Sequence, residues 1–196
     1  GLALANSIAA VEAGASTVST CVNGLGERAG IAATEEVALA LHTLFGMSQF
    51  ELNQLTELSK LVQDITGIKV HPHKPITGEN ALAHSSGIHQ HGVFMNPTTY
   101  EFYPPELVGQ RRKVYIDELC GRHGIIYIAE NELGMNISED IAEKVLSKIK
   151  TSFSHEGRRS PYTPSELKGL IMEIQGAEVH GINNNRKNFG KRFSQE

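Results

Sequence analysis

The sequence has no tryptophan, only two cysteines and no apolar segment near the roughly 20 residues that a membrane-spanning helix needs. Cys21 and Cys120 are too few for a disulfide framework in a chain of 196 residues, and neither has the Cys-x-x-Cys spacing of a metal site. The basic start, apolar run and small-residue cleavage site of a signal peptide are also missing. We therefore expect a cytoplasmic protein with two reduced thiols and no membrane contact.

The charge balance likewise indicates no special binding partner. The formal net charge is -4, with 20% charged and 40% hydrophobic residues, as in an ordinary soluble protein of one or two domains. This composition requires neither nucleic acid nor a membrane surface as a partner. The exception is a polar, basic tail at 177–196, which we expect to be disordered.

The first 22 residues have the pattern of a helix followed by a strand. Residues 1–14 are rich in Ala and Leu and end at Gly14, a usual stop signal for a helix. Because this helix has no initiator Met, cap or preceding turn, we expect that it continues from a longer polypeptide. Residues 15–22 carry consecutive β-branched side chains, which predicts a strand buried on both faces in a parallel sheet. Its partner strands must then come from elsewhere, and the fold class is α/β.

The later chain contains local signals for helix ends. Ser48 and Glu51 predict a capping box that opens a helix ending at Gly67, and Thr163 and Glu166 predict a second one. We expect a further helix over 79–95 despite its two glycines, a short strand over 112–116, and an amphipathic helix from Ser138 to about residue 153.

The glycine-rich loop between the predicted strand and the next helix is the most informative segment. In α/β proteins this junction is where active sites lie. Gly24, Gly26 and Ala29 match the G-x-G-x-x-A form of the dinucleotide fingerprint. We disfavour a dinucleotide site, because the later chain is poor in strands and no strand ends in an acidic residue about 20 positions downstream.

Four ordered segments carry a more specific resemblance. They are Gly1-Leu-Ala-Leu-Ala-Asn-Ser7, Val22-Asn-Gly-Leu-Gly-Glu-Arg-Ala-Gly30, Gly78-Glu-Asn-Ala-Leu-Ala-His-Ser-Ser-Gly-Ile-His89 and Asn96-Pro-Thr-Thr-Tyr100. Together they resemble the 2-isopropylmalate synthase and homocitrate synthase family, over residues 1 to about 170. The resemblance implies the C-terminal portion of a TIM (β/α)8 barrel followed by small, mainly helical α+β subdomains. The implied divisions are 1–46 for barrel helix 7, strand 8 and helix 8, 47–110 and 111–176 for two subdomains, and 177–196 for the tail.

The resemblance also implies a chemistry. Members of this family condense acetyl-CoA with a 2-oxo acid in a Claisen-type reaction on a divalent metal, Mg, Mn or Zn. The family's His-x-His metal ligands precede the position of Gly1, and its acidic ligand lies on the first strand, so this chain carries none of them. We expect barrel strands one to six and the metal site on a companion chain or on a missing part of the gene product. A homo-oligomer, such as a dimer, is also implied.

Ile31 bears on the substrate. Isopropylmalate synthases usually have a metal-shell Asn at this place, and an aliphatic side chain cannot bind a cation. Homocitrate synthases resemble the present Gly-Ile sequence, so we expect a homocitrate synthase that uses 2-oxoglutarate, with isopropylmalate or citramalate synthase as the alternative. Residues 100–112 resemble the nitrogen-fixation branch. An alternative of another class is a non-catalytic subunit that only completes the barrel.

His89 and Tyr100 match the spacing of a catalytic pair in the family, which reaches into the barrel of a neighbouring subunit. An imidazole beside a phenol can relay a proton to or from the acetyl methyl group or the new alkoxide. Without the family motif, His89 would more simply be a surface or packing residue.

Other polar residues are weaker candidates for the active site. Glu27 and Arg28 either form an ion pair that braces the rim loop, which we favour, or orient substrate, and Asn23 bonds either the loop or a ligand. His84 lies seven residues before His91, and we expect both on one helical face, where His84 has a possible lining role.

The remaining histidines and Cys120 complete the candidates. Neither His71 with His73 nor His89 with His91 is assigned to a metal, because a loop or helix does not direct such pairs to one side. Residues 120–124 are expected to form a structural turn, with His123 able to approach Cys120.

Overall fold

A computed structural model describes residues 1–176 and divides them into two compact units. The first unit comprises Gly1–Ala83 and Glu101–Lys113, and the second comprises His84–Tyr100 and 114–176. The domain boundaries expected after residues 46 and 110 remain predictions. Residues 177–196, expected to be a disordered tail, lie outside the described residues.

The first unit begins with helix α1 (Ala3–Glu12), the glycine loop and helix α2 (Thr34–Phe45). The strand predicted over 15–22 stays a prediction, because its partner strands are expected from outside this chain: within residues 1–176 the backbone there forms only a parallel bridge from Cys21 to Ala33. The Cys21 N–H donates to the Ala32 carbonyl at 3.1 Å, and the Thr34 N–H donates to the Cys21 carbonyl at 3.0 Å. A strand needs a paired neighbour along its length, and here one residue is paired. These bonds nevertheless close the glycine loop at its base.

Helix α3 (Leu55–Thr66) follows a 3₁₀ turn over Leu52–Gln54. The predicted cap at Ser48 is wrong, because the Glu51 carboxylate instead accepts a hydrogen bond from Gln54 Nε2 at 3.1 Å and the helix starts later. The predicted end at Gly67 is confirmed, with φ at +72°, a left-handed conformation that glycine adopts without strain.

Apolar burial in the first unit is divided between two small clusters. One lies between α2, the Leu52–Gln54 turn and the 3₁₀ turn Pro105–Val108, and the other joins α2 to α1. Helix α1 has no buried residue of its own. The unit also buries Glu101, whose carboxylate accepts two bonds from the Arg112 guanidinium, at 2.7 Å from Nε and 2.6 Å from Nη2.

Strands β1 (Ala83–His84) and β2 (Lys113–Val114) pair in a two-stranded parallel sheet. The Tyr115 N–H donates to the His84 carbonyl at 2.9 Å. Thus the predicted strand over 112–116 is confirmed with shorter bounds. The first half of the helix predicted over 79–95 is wrong, because β1 occupies it and α4 (Gly87–Met95) begins only at Gly87.

The second unit has one continuous apolar core, built from α5 (Arg122–Asn131), α6 (Glu139–Ser154) and α7, which covers 164–176. Ile125, Ile149 and Leu167 are completely buried in it. Ser138 caps α6, since its hydroxyl accepts the Ile141 N–H at 3.2 Å. The capping box of α7 is also confirmed, because Thr163 Oγ1 accepts the Glu166 N–H and the Glu166 carboxylate accepts the Thr163 N–H.

The aromatic side chains are unevenly distributed. Tyr103 is the tyrosine of the first unit, and the other four of the five lie in the second. Tyr127 stacks on Phe94 with ring centroids 4.1 Å apart, and the Arg158 guanidinium lies 3.8 Å from the centre of the Tyr162 ring. No helix within residues 1–176 combines the length and the apolar character needed to cross a membrane.

Candidate active site

The glycine loop lines a cavity of about 470 Å³ in the first unit. Loop residues 23–29 form one side, and residues 68–71 with Lys74 form the other. Gly24 has φ of +67°, a left-handed conformation that glycine adopts without strain and residues with a Cβ rarely adopt. The loop therefore follows a path that brings its backbone close to whatever enters the cavity.

Asn23 anchors this loop rather than projecting a free amide. Its backbone is left-handed, with φ of +63°, and its N–H donates to Glu35 Oε2 at 3.0 Å. Its Nδ2 donates to the Ser59 carbonyl at 3.0 Å, and its Oδ1 accepts a bond from the Ser59 hydroxyl. Of the two roles left open by the sequence, the structure shows the one in which Asn23 bonds the protein.

A buried ion cluster supports the anchor. Glu35 is 1% exposed, and Lys74 Nζ lies 3.1 Å from its Oε1 and 2.8 Å from Glu36 Oε1. Burial alone would lower the pKa of Lys74, but hydrogen bonds and charge from Glu36 and Glu35 raise it above its ordinary value. Sequence reasoning missed Glu35 and Lys74, because 39 residues separate them and only the fold brings them together.

Glu27 and Arg28 are exposed and line the cavity. Within residues 1–176 no ion pair joins them, so the expected brace is wrong, and the Asn23 contacts fix the loop instead. Ile31 packs on the loop: a Cβ at Gly26 would lie 3.2 Å from Ile31 Cγ2. Ile31 therefore serves the packing of this loop.

His89 and Tyr100 lie together in the second unit. His89 is in the first half of α4, and Tyr100 follows the 3₁₀ turn Pro97–Thr99. Their ring centroids are 4.4 Å apart, with the planes tilted by 45°. Both side chains are exposed, Tyr100 at 44%. The eleven-residue spacing thus produces a side-by-side imidazole and phenol that solvent or a substrate can reach.

His84 is buried in β1, so the helical face that we expected it to share with His91 does not exist. Its carbonyl is one of three that accept a bond from Gln90 Nε2, the others being Ser85 and Tyr115 at 2.9 and 2.8 Å. Gln90, which is fully buried, locks the start of α4 to the sheet. Sequence reasoning missed it, since a lone Gln carries no motif. A lining role for His84 remains a prediction.

The other histidines form two pairs. The His71 and His73 rings are 5.5 Å apart, and the His73 N–H donates to His71 Nδ1 at 3.1 Å. The His91 and His123 rings are 4.2 Å apart, and burial together with the charges of His91 and Arg122 lowers the pKa of His123. Among residues 1–176 no group of three or more His, Cys, Asp or Glu side chains can hold a metal ion. These residues therefore do not fit a metal centre of their own.

Cys120 is 3% exposed, and burial with the nearby Asp117 charge raises the pKa of its thiol to about 11. The turn expected over 120–124 is wrong, because the chain turns earlier, at 118–119, and α5 begins at Arg122. Such a thiol stays protonated at neutral pH and is not a nucleophile.

Comparison with known proteins places these features in a family. Residues 1–62 match the family described as HMGL-like, and residues 76–156 match the one described as homocitrate synthase post-HMGL domain-like. The chain is 43% identical over 180 residues to a 2-isopropylmalate synthase of Methanocaldococcus jannaschii, covering 90% of this chain and 34% of that protein.

Two further relatives are named as homocitrate synthases. The homocitrate synthase AksA of Methanopyrus kandleri is 45% identical over 175 residues, 89% of this chain and 43% of that protein. The homocitrate synthase of Pyrococcus horikoshii is 40% identical over 163 residues, 83% of this chain and 43% of that protein. The chain thus spans between about a third and less than half of these relatives. It belongs to the family of 2-isopropylmalate and homocitrate synthases.

Proposed function

We propose that this chain is part of a homocitrate synthase and supplies His89 and Tyr100 for proton transfer when acetyl-CoA condenses with 2-oxoglutarate. The observation that carries the proposal is the contact between the two rings, 4.4 Å between centroids, in a chain whose relatives are condensing synthases by name. Both rings are exposed, so a substrate can reach them without unfolding of α4.

The reaction requires proton movement at two atoms. A base removes a proton from the acetyl methyl group, the resulting carbanion adds to the keto carbon, and the new alkoxide takes up a proton. Water then hydrolyses the thioester and releases CoA. Histidine side chains exchange protons near neutral pH, and a phenol in contact can donate or accept one in turn. His89 and Tyr100 supply this exchange.

The metal site and the residues that bind the 2-oxo acid are assigned to polypeptide outside residues 1–176. We assign the divalent cation, Mg, Mn or Zn, and the grip on the 2-oxo acid to residues on barrel strands one to six, because residues 1–176 offer no metal cluster. Those strands belong to a companion chain or to a continuation of this one. A dimer in which each copy lends His89 and Tyr100 to the other is part of the same proposal.

The first unit supports a barrel portion in this scheme. Helix α1, the extended backbone at Cys21, the glycine loop and α2 follow in the order of barrel helix 7, strand 8, rim loop and helix 8. Val11 of α1, residues within 15–20 and 47–50, and the inner side of α2 line a cavity of about 410 Å³. We propose that neighbouring barrel elements pack over this surface.

The identity of the 2-oxo acid substrate is tested by an assay of the complete synthase. In it, this chain is joined to or mixed with the polypeptide that carries the other strands. CoA release with 2-oxoglutarate well above that with 2-oxoisovalerate or pyruvate supports a homocitrate synthase. Ile31, which packs inside the rim loop, favours that outcome. Preference for 2-oxoisovalerate would indicate the isopropylmalate activity by which one relative is named.

The role of the pair is tested by His89→Ala and Tyr100→Phe in the same assay. We expect kcat to fall by about 100-fold or more for each, because general acid–base groups contribute roughly 10²–10⁴-fold. His155→Ala, which changes an exposed histidine at the end of α6, is the matched control and should leave kcat unchanged. Wild-type turnover in both variants would instead favour a subunit that only completes the barrel.

A further inference from the structure

Gly92 lies against one edge of the Tyr100 ring. A Cβ at this glycine would be 2.6 Å from Tyr100 Cε2 and 3.2 Å from Cδ2. Real Cβ atoms do not come that close to another carbon, so any other residue at this position requires the ring to move. The phenol therefore rests on the bare backbone of α4.

The chain path explains why the ring returns to this spot. The Asn96 N–H donates to the Gly92 carbonyl at 2.8 Å, and the Asn96 side chain accepts the Thr98 N–H at 3.2 Å. The Tyr100 N–H then donates to the Pro97 carbonyl at 3.1 Å. These bonds reverse the chain after α4 and bring Tyr100 back onto the helix. Gly92 is three residues after His89, so both positions are on one side of α4.

Space, rather than backbone conformation, accounts for the glycine. Gly92 is absent from the residues with positive φ, so alanine can adopt its helical backbone. A glycine inside a helix costs about 1 kcal/mol relative to alanine. Helix propensity thus favours alanine at 92, and contact with the Tyr100 ring opposes it.

We propose that Gly92 is a positioning residue: it seats the Tyr100 ring against the His89 imidazole, with the ring centroids 4.4 Å apart. This inference rests on the proposed function of the pair. It adds that the geometry of the pair depends on a third residue, which has no side chain and acts through Tyr100.

Gly92→Ala in the complete synthase tests whether this glycine seats the Tyr100 ring. The added Cβ displaces only the ring of Tyr100 and no backbone atom. We therefore expect the variant to fold with unchanged or slightly higher thermal stability. We expect kcat to fall by about 10- to 100-fold, since misplacement by about 1 Å can cost 10²-fold. KM for acetyl-CoA and for the 2-oxo acid should stay within about twofold, because substrate binding lies elsewhere.

Gly169→Ala is the matched control. Gly169 lies inside α7, and a Cβ there meets nothing within 4 Å. The control receives the same gain in helix propensity without displacing a ring, so its kcat should equal that of the wild type. A loss in both variants would overturn the proposal.

Two further measurements connect Gly92 to Tyr100. In the Tyr100→Phe background, Gly92→Ala should cause no further loss of kcat, because the hydroxyl through which it acts is already gone. In NMR spectra, the His89 ring protons should shift in Gly92→Ala toward their positions in Tyr100→Leu, because the neighbouring ring current is lost. Additive losses of kcat would overturn the proposal.

The outcomes separate the two claims. If His89→Ala and Tyr100→Phe keep wild-type turnover, the proposed function fails, while the His89 resonances still decide whether Gly92 seats the ring. If Gly92→Ala keeps both the kcat and the His89 resonances of the wild type, the seat does not exist. If Gly92→Ala does not fold, the glycine serves backbone packing and the proposal is equally overturned.

Discussion

The two units differ in what they bury. The first encloses two carboxylates, Glu35 and Glu101, each beside a cation, and divides its apolar residues between small clusters. The second, over its described residues, buries the polar side chains of His84, Gln90 and Ser152 within and beside one apolar core. Apolar burial is nondirectional, whereas a buried ion pair requires defined geometry. Buried ion pairs in the first unit therefore fix the position of a loop, whereas apolar burial in the second unit holds its helices together.

The sharpest test of this difference is a pair of cavity mutations. Ile149→Ala removes a fully buried side chain from the core of the second unit and should lower the free energy of unfolding by about 4 kcal/mol. Leu41→Ala, in the small cluster beside α1, should cost about 2 kcal/mol, because this edge can relax or admit water. Urea unfolding followed by circular dichroism measures both. Equal costs would remove the distinction between the two interiors.

Lys74→Met tests the buried charge of the first unit. It leaves Glu35 without its cation, and we expect a loss of about 3 kcal/mol, the lower end for a broken buried pair. Lys148→Met removes the exposed partner of Glu173 in the second unit and should change unfolding very little. Unfolding of both variants by urea provides the comparison. A small effect at Lys74 would show that the fold does not depend on the Glu35–Lys74 ion pair.

The two cysteines give the smallest test, one in each unit. At pH 8 a thiol reagent should modify Cys120 about 100-fold more slowly than an ordinary thiol, because burial raises its pKa to about 11. A raised pKa means that the fold favours the protonated thiol. This contribution to stability is present below the ordinary thiol pKa and is lost as the pH rises through about 11.

Unfolding of the Cys21→Ala and Cys120→Ala variants between pH 8 and pH 11 checks that sign. The alkaline loss of stability should be shallower in Cys120→Ala than in Cys21→Ala. Identical pH profiles would mean that the Cys120 thiol is not held in the core.

Local signals predicted the fold better than distant ones. Ser138, Thr163 and Gly67 act on backbone groups within a few residues, and these three predicted helix ends are confirmed, whereas the equally local cap at Ser48 is wrong. The predicted start of the helix over 79–95 is wrong, because strand pairing depends on residues far along the chain. β1 pairs with β2 some 30 residues away, and no local pattern in 79–86 reveals that partner.

The same division holds for the candidate site. The family resemblance selected His89 and Tyr100, and the structure places their rings in contact, although no local pattern distinguishes them from ordinary surface residues. What supports the site was missed. Glu35 with Lys74, Gln90 and the Gly92 seat depend on contacts across folded elements, so their residue types alone carry no signal.

The uneven placement of tyrosine makes one half of this protein visible by ultraviolet fluorescence and leaves the other nearly dark. With no indole to dominate, emission comes from phenols, and four of five belong to the second unit. An emission trace during unfolding will follow the helix bundle, while the glycine loop is reported by Tyr103 alone. Substituting Tyr103 would make that optical signal specific for a single unit.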